Sequence, residues 1–422
     1  MRSSSLRDFF INLIVMLNFS KKIKNFKISP QWVYIILFSL VFLRMIFLYA
    51  QLQDFNNIFL GDGKDYQCYA MQIKYDGIFS DYEPKFPLGY PLYLSFIYRI
   101  FGNNYQAVFI SQIFLYGFTV WIIFLLGKEI FQSFTIASLA SLFFFCEIPI
   151  DIIYLAFHSE ALLTLILVLA FFLLFRAFRK NNILLFAFSG LFIGISALIK
   201  SAYELLFLFL IFVFAFVNKD QTFKKMLYFG VLLIMMMLVT GVGKARNLYY
   251  WGNFELASNQ GHCLLHCVLP EAIALDEHAT YYDVKARQES MNIGNIQNPF
   301  LRSEKYTSLA IRYILTHPKV FLKAVGKGTY RFFFHPGYIL WNCFQYVFIV
   351  LGFFFAFVRG DHRQKLFALC VLFMLIGIIL GCSTRGWYRH RFPLMPFFAI
   401  ISAKGFAAIF EKNKRRKEET DP

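Results

Sequence analysis

Hydrophobic positions along the chain gather into long unbroken runs, at about 32–50, 106–127, 134–151, 159–177, 183–199, 202–217, 226–243, 338–358, 366–382 and 394–410, with polar residues crowded between them. A helix needs ~20 apolar residues to cross a bilayer core. The pattern therefore predicts an all-α integral membrane protein of ten spans. Two polar stretches are much longer than the others, 51–105 and 244–337, and are expected as large loops. The run FFINLIVMLNF at 9–19 is too short to span and fits a surface-lying segment. About 30 residues with six Lys/Arg precede the first long run, unlike a cleaved signal peptide, so that run is expected to stay as an anchor.

Composition agrees with this pattern. Of 422 residues, 58% are hydrophobic and 16% charged, with 56 Phe and 24 Tyr; the mean hydropathy is +0.55. Soluble domains carry roughly 25% charged residues, and the disordered, collagenous and disulfide-scaffold classes are excluded as well. The net charge of +17 would suggest nucleic acid in a soluble protein. Here most basic residues flank apolar runs, so orientation explains them and no nucleic-acid partner is expected. With both termini in the cytoplasm, the inward segments hold more than twice the Lys/Arg of the short outward ones, as the positive-inside rule requires. The expected organisation is a basic cytoplasmic N-terminus at 1–31, a membrane domain at 32–410 with loops 51–105 and 244–337 outside, and a basic cytoplasmic tail at 411–422. No internal repeat of 20–50 residues is visible.

Loop 51–105 carries acid and base together. Just past the first span stand Asp62, Asp65 and Tyr66 in Gly-Asp-Gly-Lys-Asp-Tyr, followed by Glu83-Pro-Lys85-Phe-Pro-Leu-Gly-Tyr90-Pro. Two roles fit these residues. Asp62 and Asp65 suit the capping of a helix beginning near Tyr66, and Lys85 suits an interfacial lysine with its stem in the lipid. They suit equally well a carboxylate that takes a proton from an acceptor beside a cation that holds a lipid phosphate.

Several motifs, in order, carry a resemblance: Asp62-x-x-x-Tyr66-x-x-x-Ala70; Lys85-x-Pro87 with Gly89-Tyr90-Pro91; His158-Ser159-Glu160-Ala161-Leu162; Gly190 to Gly194 leading to Leu198-Ile199-Lys200; Arg246-Asn247 with Ser258-Asn259-x-Gly261; and Arg389-His390-Arg391-Phe392-Pro393. Over roughly 32–410 the chain resembles the GT-C glycosyltransferases, in the branch holding protein O-mannosyltransferases and the lipid A aminoarabinose transferase. The resemblance implies a sugar donor on polyprenyl phosphate, an extracytoplasmic acceptor, and Asp62 as general base with Asp65 as runner-up. Lys85, Lys200, Arg246, Arg389 and Arg391 are the expected phosphate cations, with Lys200 where relatives often have Arg; Tyr66, Tyr90 and Glu160 are further site candidates. The acceptor is left open between lipid A, a growing glycan and protein.

Other groups add less. No phosphate-binding Gly-rich loop or dinucleotide fingerprint occurs, so no nucleotide donor is expected. No cofactor or metal is expected to be required. The run Gly261-His262-Cys263-Leu-Leu-His266-Cys267 could bind zinc if helical, though a local disulfide or free thiols fit better. Glu147, Asp151 and Glu160 form an acidic group that could orient the acceptor or, less favourably, hold a divalent cation. Arg44 and Lys404 lie inside spans and should face the bundle interior or reach the interface. Two other functions fit the same pattern: a lipid or glycan transporter with no need of Asp62, and a multispanning glycan polymerase or ligase.

Overall fold

Where described, the long apolar runs are helical, because hydrocarbon offers no water to backbone N–H and C=O groups and they must pair within the segment. The computed structural model describes residues 30–51, 62–147, 153–206, 222–265, 289–334, 339–382 and 388–420. In chain order its helices are α1 (Pro30–Gln51), α2 (Gly63–Asp76), α3 (Gly89–Phe101), α4 (Tyr105–Phe131), α5 (Phe134–Phe145), α6 (Ser159–Lys180), α7 (Ile183–Ile199), α8 (Thr222–Trp251), α9 (Pro299–Thr316), α10 (Pro318–Phe333), α11 (Ile339–Arg359), α12 (His362–Cys382) and α13 (Met395–Thr420). A helical turn, Tyr388–Arg391, and a 3-10 turn, Phe392–Leu394, lead into α13. Among the described residues there is no strand.

Six segments are long and apolar enough to cross a membrane, within α4, α6, α8, α11, α12 and Arg389–Ile409, and α1, α5 and α7 contain shorter apolar helices. The chain is a polytopic membrane protein. One predicted span is shorter than expected, and another is only partly described. The one at 134–151 yields only the 12 residues of α5, about 18 Å at 1.5 Å per residue. The one at 202–217 opens with a 3-10 turn over Ser201–Leu205 and continues outside the described residues, as do the N-terminal stretch at 9–19 and Asp151. The two large loops prove largely helical where described: α2 and α3 fill the first, and the end of α8, then α9 and α10, occupy the second.

Tight hairpins set the order of packing. Gln132 and Asn181 adopt left-handed conformations (φ 50° and 48°), and each is followed by a cap, Ser133 accepting from Ile136 N and Asn182 accepting from Leu184 N and Leu185 N. Short caps of this kind close a helix and start the next within two residues. α6 therefore lies antiparallel to α7, and α7 packs in turn on α8. α13 runs through the middle of the bundle between α5 and α11, with Phe397 to Ala403 buried. Its approach to α11 depends on glycine at the crossing: a Cβ on Gly405 would overlap the Phe348 carbonyl, and one on Gly352 would overlap that of Ile401. α1 stands at the periphery and turns Trp32, Phe38 and Leu43 outward, as a lipid-facing helix does.

Candidate active site

α2 begins one residue after Asp62. At that N-cap position an aspartate ordinarily accepts from N–H groups of the first turn. Asp62 does not: its backbone is already helical (φ −79°, ψ −2°) and its side chain makes no capping bond. Its Oδ2 instead accepts from Arg389 Nη2 at 2.8 Å, across 327 residues of sequence. Asp65, one turn further on, pairs with Lys85 Nζ at 2.5 Å, both partly exposed.

The second pair comes from the α6–α7 hairpin. Glu160 lies in the first turn of α6, and Lys200 is the residue that ends α7. An antiparallel hairpin with a two-residue turn brings these ends together, and each charge suits the helix dipole it faces. Lys200 Nζ donates to Glu160 Oε1 at 2.9 Å, with the glutamate 3% and the lysine 27% exposed. His390 Nδ1 lies 3.3 Å from the same ammonium. Gly89 allows this closeness. A Cβ there would stand 2.7 Å from the Leu198 carbonyl and 2.8 Å from Ile199 N, so the start of α3 rests directly on the end of α7.

His158, at the N-cap of α6, and Tyr66 complete the cluster. Tyr66 donates to Ser159 Oγ at 3.3 Å. Burial, together with the negative charges of Glu160 and Asp62, pushes its hydroxyl far above the usual tyrosine range, so it remains a donor. Tyr66 packs edge-on against Tyr90 at 4.9 Å. Tyr90 is fully buried and donates to Gln112 Oε1 at 2.8 Å, while Gln112 Nε2 donates to the Tyr154 and Ala156 carbonyls. Tyr90 thus braces the backbone leading to His158 and touches no cation of the site.

Burial holds the His158 imidazole below its ordinary range; Glu160 and Asp62 oppose that shift, and Arg389 and Lys200 reinforce it. The unfolded chain therefore takes up a proton here at higher pH than the folded protein. The neutral imidazole contributes stability that is complete above about pH 6.5, the ordinary histidine value, and is lost as pH falls through the lower folded value. The apparent melting temperature in detergent should fall on acidification below about 6.5. His158→Gln should flatten that acid limb; an unchanged pH profile would rule out His158 as its source.

The five predicted phosphate cations divide into three groups. Lys200 and Arg389 converge with Asp62 and Glu160. Lys85 lies one helical turn away, paired with Asp65. Arg246 and Arg391 do not join them. Arg246 is 1% exposed, donates to the carbonyls of Ser80 and Tyr82 and to Asn247 Oδ1, and stacks 3.6 Å over the Tyr82 ring. α8 runs on past its predicted end at 243 to Trp251, which carries Arg246 into the protein as a clasp on the 80–82 segment. Arg391, equally buried, donates to the carbonyls of Phe332 and Phe333, to Tyr346 Oη at 2.6 Å and to Asn342 Oδ1 at 3.1 Å. It joins α10 and α11 to the start of α13.

The acidic group also divides. Glu147 is buried and accepts from Gln345 Nε2 at 2.5 Å, apart from the Glu160–Lys200 pair. Among the described residues no group of three or more His, Cys, Asp or Glu is placed to hold a metal ion; His266 and Cys267 lie outside them. Arg44 and Lys404 lie over aromatic rings, Phe47 and Phe131. His158 and His390 were missed as site residues. The available signal was their position: each is a histidine within two residues of a candidate charge.

A family model described as dolichyl-phosphate-mannose-protein mannosyltransferase matches residues 85–242. No curated protein sequence matches the chain. Among solved structures, the oligosaccharyltransferase of Archaeoglobus fulgidus tethered with an acceptor peptide superposes at TM-score 0.56 with 14% identity, over 89% of this chain and 50% of that one. The same archaeal enzyme, AglB, in complex with an inhibitory peptide and a dolichol-phosphate gives 0.54 and 14%, over 94% and 52%. ArnT from Cupriavidus metallidurans bound to undecaprenyl phosphate gives 0.42 and 10%, over 90% and 78%. The chain spans about half the length of the archaeal enzymes it matches. A segment from Lys85 to Val242 thus matches a mannosyltransferase family model, and over most of its length the chain shares the fold of the archaeal oligosaccharyltransferase.

Proposed function

We propose that this protein transfers a sugar from a polyprenyl-phosphate carrier to a hydroxyl acceptor at the extracytoplasmic face of the membrane, by direct inverting displacement. The observation that carries this is Asp62, an aspartate at a helix start whose carboxylate is withheld from capping and held beside Arg389 at 2.8 Å. In the proposed step Asp62 takes the proton of the acceptor hydroxyl, and the freed oxygen attacks the anomeric carbon from the side opposite the phosphate. The bond from that carbon to the phosphate oxygen breaks, and the electron pair leaves with the lipid phosphate. The phosphate needs charge neutralisation rather than a proton, which Lys200 and Arg389 supply, the arginine as a planar fork and the lysine as a point charge. One carboxylate suffices for such a displacement, unlike the pair used in glycoside hydrolysis. A dolichol-phosphate in the similar AglB structure supports a lipid-phosphate donor.

The test uses the purified protein in proteoliposomes, supplied with a radiolabelled polyprenyl-phosphate sugar and extracted envelope acceptors. Label should appear on the acceptor with inverted configuration, and should still appear in EDTA, since the protein's own cations meet the leaving phosphate. Movement of the donor across the bilayer without transfer would instead establish a transporter. Labelling of Cys68, an exposed free thiol on α2, by an impermeant maleimide added outside intact cells checks the sidedness.

A further inference from the structure

A chamber lies beside the charged cluster, on the Asp65 face of α2. It has a volume of about 470 Å³ and is walled by α2, the 83–86 segment, residues 258–262 and α9. That size falls within the range of small-molecule sites, roughly 300–1,000 Å³. Its four fixed charges are matched in pairs across the wall: Asp65 with Lys85 at 2.5 Å, and Glu83 with Arg302. An anionic or cationic ligand would have to displace a like-charged partner from one of these pairs and so exchange one ion contact for another, with little net gain. A neutral one with many hydroxyls would not, because paired carboxylates keep acceptor lone pairs and the cations keep N–H donors. The amides of Gln72 and Asn259 add planar donor–acceptor groups, and the rings of Phe86 and Tyr306 add flat apolar faces.

We infer that this chamber holds a neutral oligosaccharide segment of the acceptor, so that the substrate class is a glycan rather than a phosphorylated lipid headgroup or a peptide. The inference rests on the transfer reading above and narrows it. Asp65 and Asp62 are three residues apart on one helical face, a separation of roughly 5–6 Å between Cβ atoms. A sugar held against Asp65 and Lys85 therefore lies one helical turn from Asp62. The far wall is fixed as well: Gly261 N donates to Ser303 Oγ at 2.9 Å, and Ser258 donates to the Pro84 carbonyl at 3.1 Å, which ties the second large loop to both α9 and the first loop.

Cys68, on the α2 wall of the chamber, is a free thiol and supplies a native reporter. In nanodiscs holding the full chain, alkylation of the Cys68 peptide by N-ethylmaleimide is followed by mass spectrometry. The probes are maltotriose, mannobiose and N,N′-diacetylchitobiose, compared with glucose 6-phosphate and a hexapeptide containing Asn-Val-Thr. At least one neutral oligosaccharide should slow Cys68 alkylation fivefold or more. Asn259→Ala and Gln72→Ala, each checked for a wild-type melting temperature, should weaken that protection at least tenfold. No protection by any neutral glycan overturns the inference, as does protection by the phosphorylated sugar or the peptide alone. Asp62→Asn keeps the two readings apart: it should lower transfer by about a hundredfold or more and leave glycan protection intact. Transfer without protection sinks only the glycan assignment, and protection without transfer in the wild type sinks the enzymatic reading.

Discussion

Asp62→Asn is expected to lower sugar transfer by about 10²–10⁴-fold, the usual worth of a positioned general base, while leaving donor affinity and melting temperature close to wild type. The amide keeps the shape of the carboxylate and can still accept from Arg389, so the structural contact of the site survives in weakened form. What it loses is the capacity to take a proton. Asp62→Glu should retain more activity than the amide, because the base is kept and only its position shifts. Transfer by Asp62→Asn within threefold of wild type would remove Asp62 from the chemistry and direct attention to Asp65. Lys85 holds Asp65 from the opposite side, so it is the next carboxylate along the helix.

The second large effect concerns stability. Lys200→Met takes from Glu160, which is 3% exposed, its ammonium partner and leaves it the more distant charge of Arg389. Leaving one member of a buried pair unmatched costs about 3–5 kcal/mol, and the lower end applies because Lys200 keeps some contact with solvent. A drop of several degrees in apparent melting temperature should follow. Adding Glu160→Gln should recover most of it, since the stranded charge is then gone, whereas transfer should remain lost because no ammonium is left for the phosphate. Lys200→Arg should be tolerated best. A double variant no more stable than Lys200→Met would show that the lysine stabilises through something other than Glu160, such as its contact with His390 at 3.3 Å.

The membrane helices were legible because hydrocarbon allows few alternatives: the runs at 106–127, 159–177 and 183–199 became α4, α6 and α7 within a few residues at each end. The chemistry was less legible. Arg246, Arg389 and Arg391 look alike in the sequence, each a basic residue at the edge of an apolar run. What separates them is which backbone carbonyls happen to face them, and those come from residues 80–82 for one and 332–333 for another. No local pattern encodes such partners. The pairing of Glu160 with Lys200 could have been drawn in advance from the two asparagines at 181–182, which close the hairpin and fix which ends meet. The helix-capping role that competed for Asp62 was a sound expectation on residue type, and it fails because the carboxylate lies against a guanidinium from the far end of the chain.

That long reach has a consequence for biosynthesis. Arg389 and His390 lead into α13 and are made after everything from Asp62 to α12. A nascent chain halted before that point holds the Asp62 carboxylate without the Arg389 guanidinium. The Asp62–Arg389 pair can therefore form only after residues 388–391 have been made, and a chain halted before them cannot assemble it.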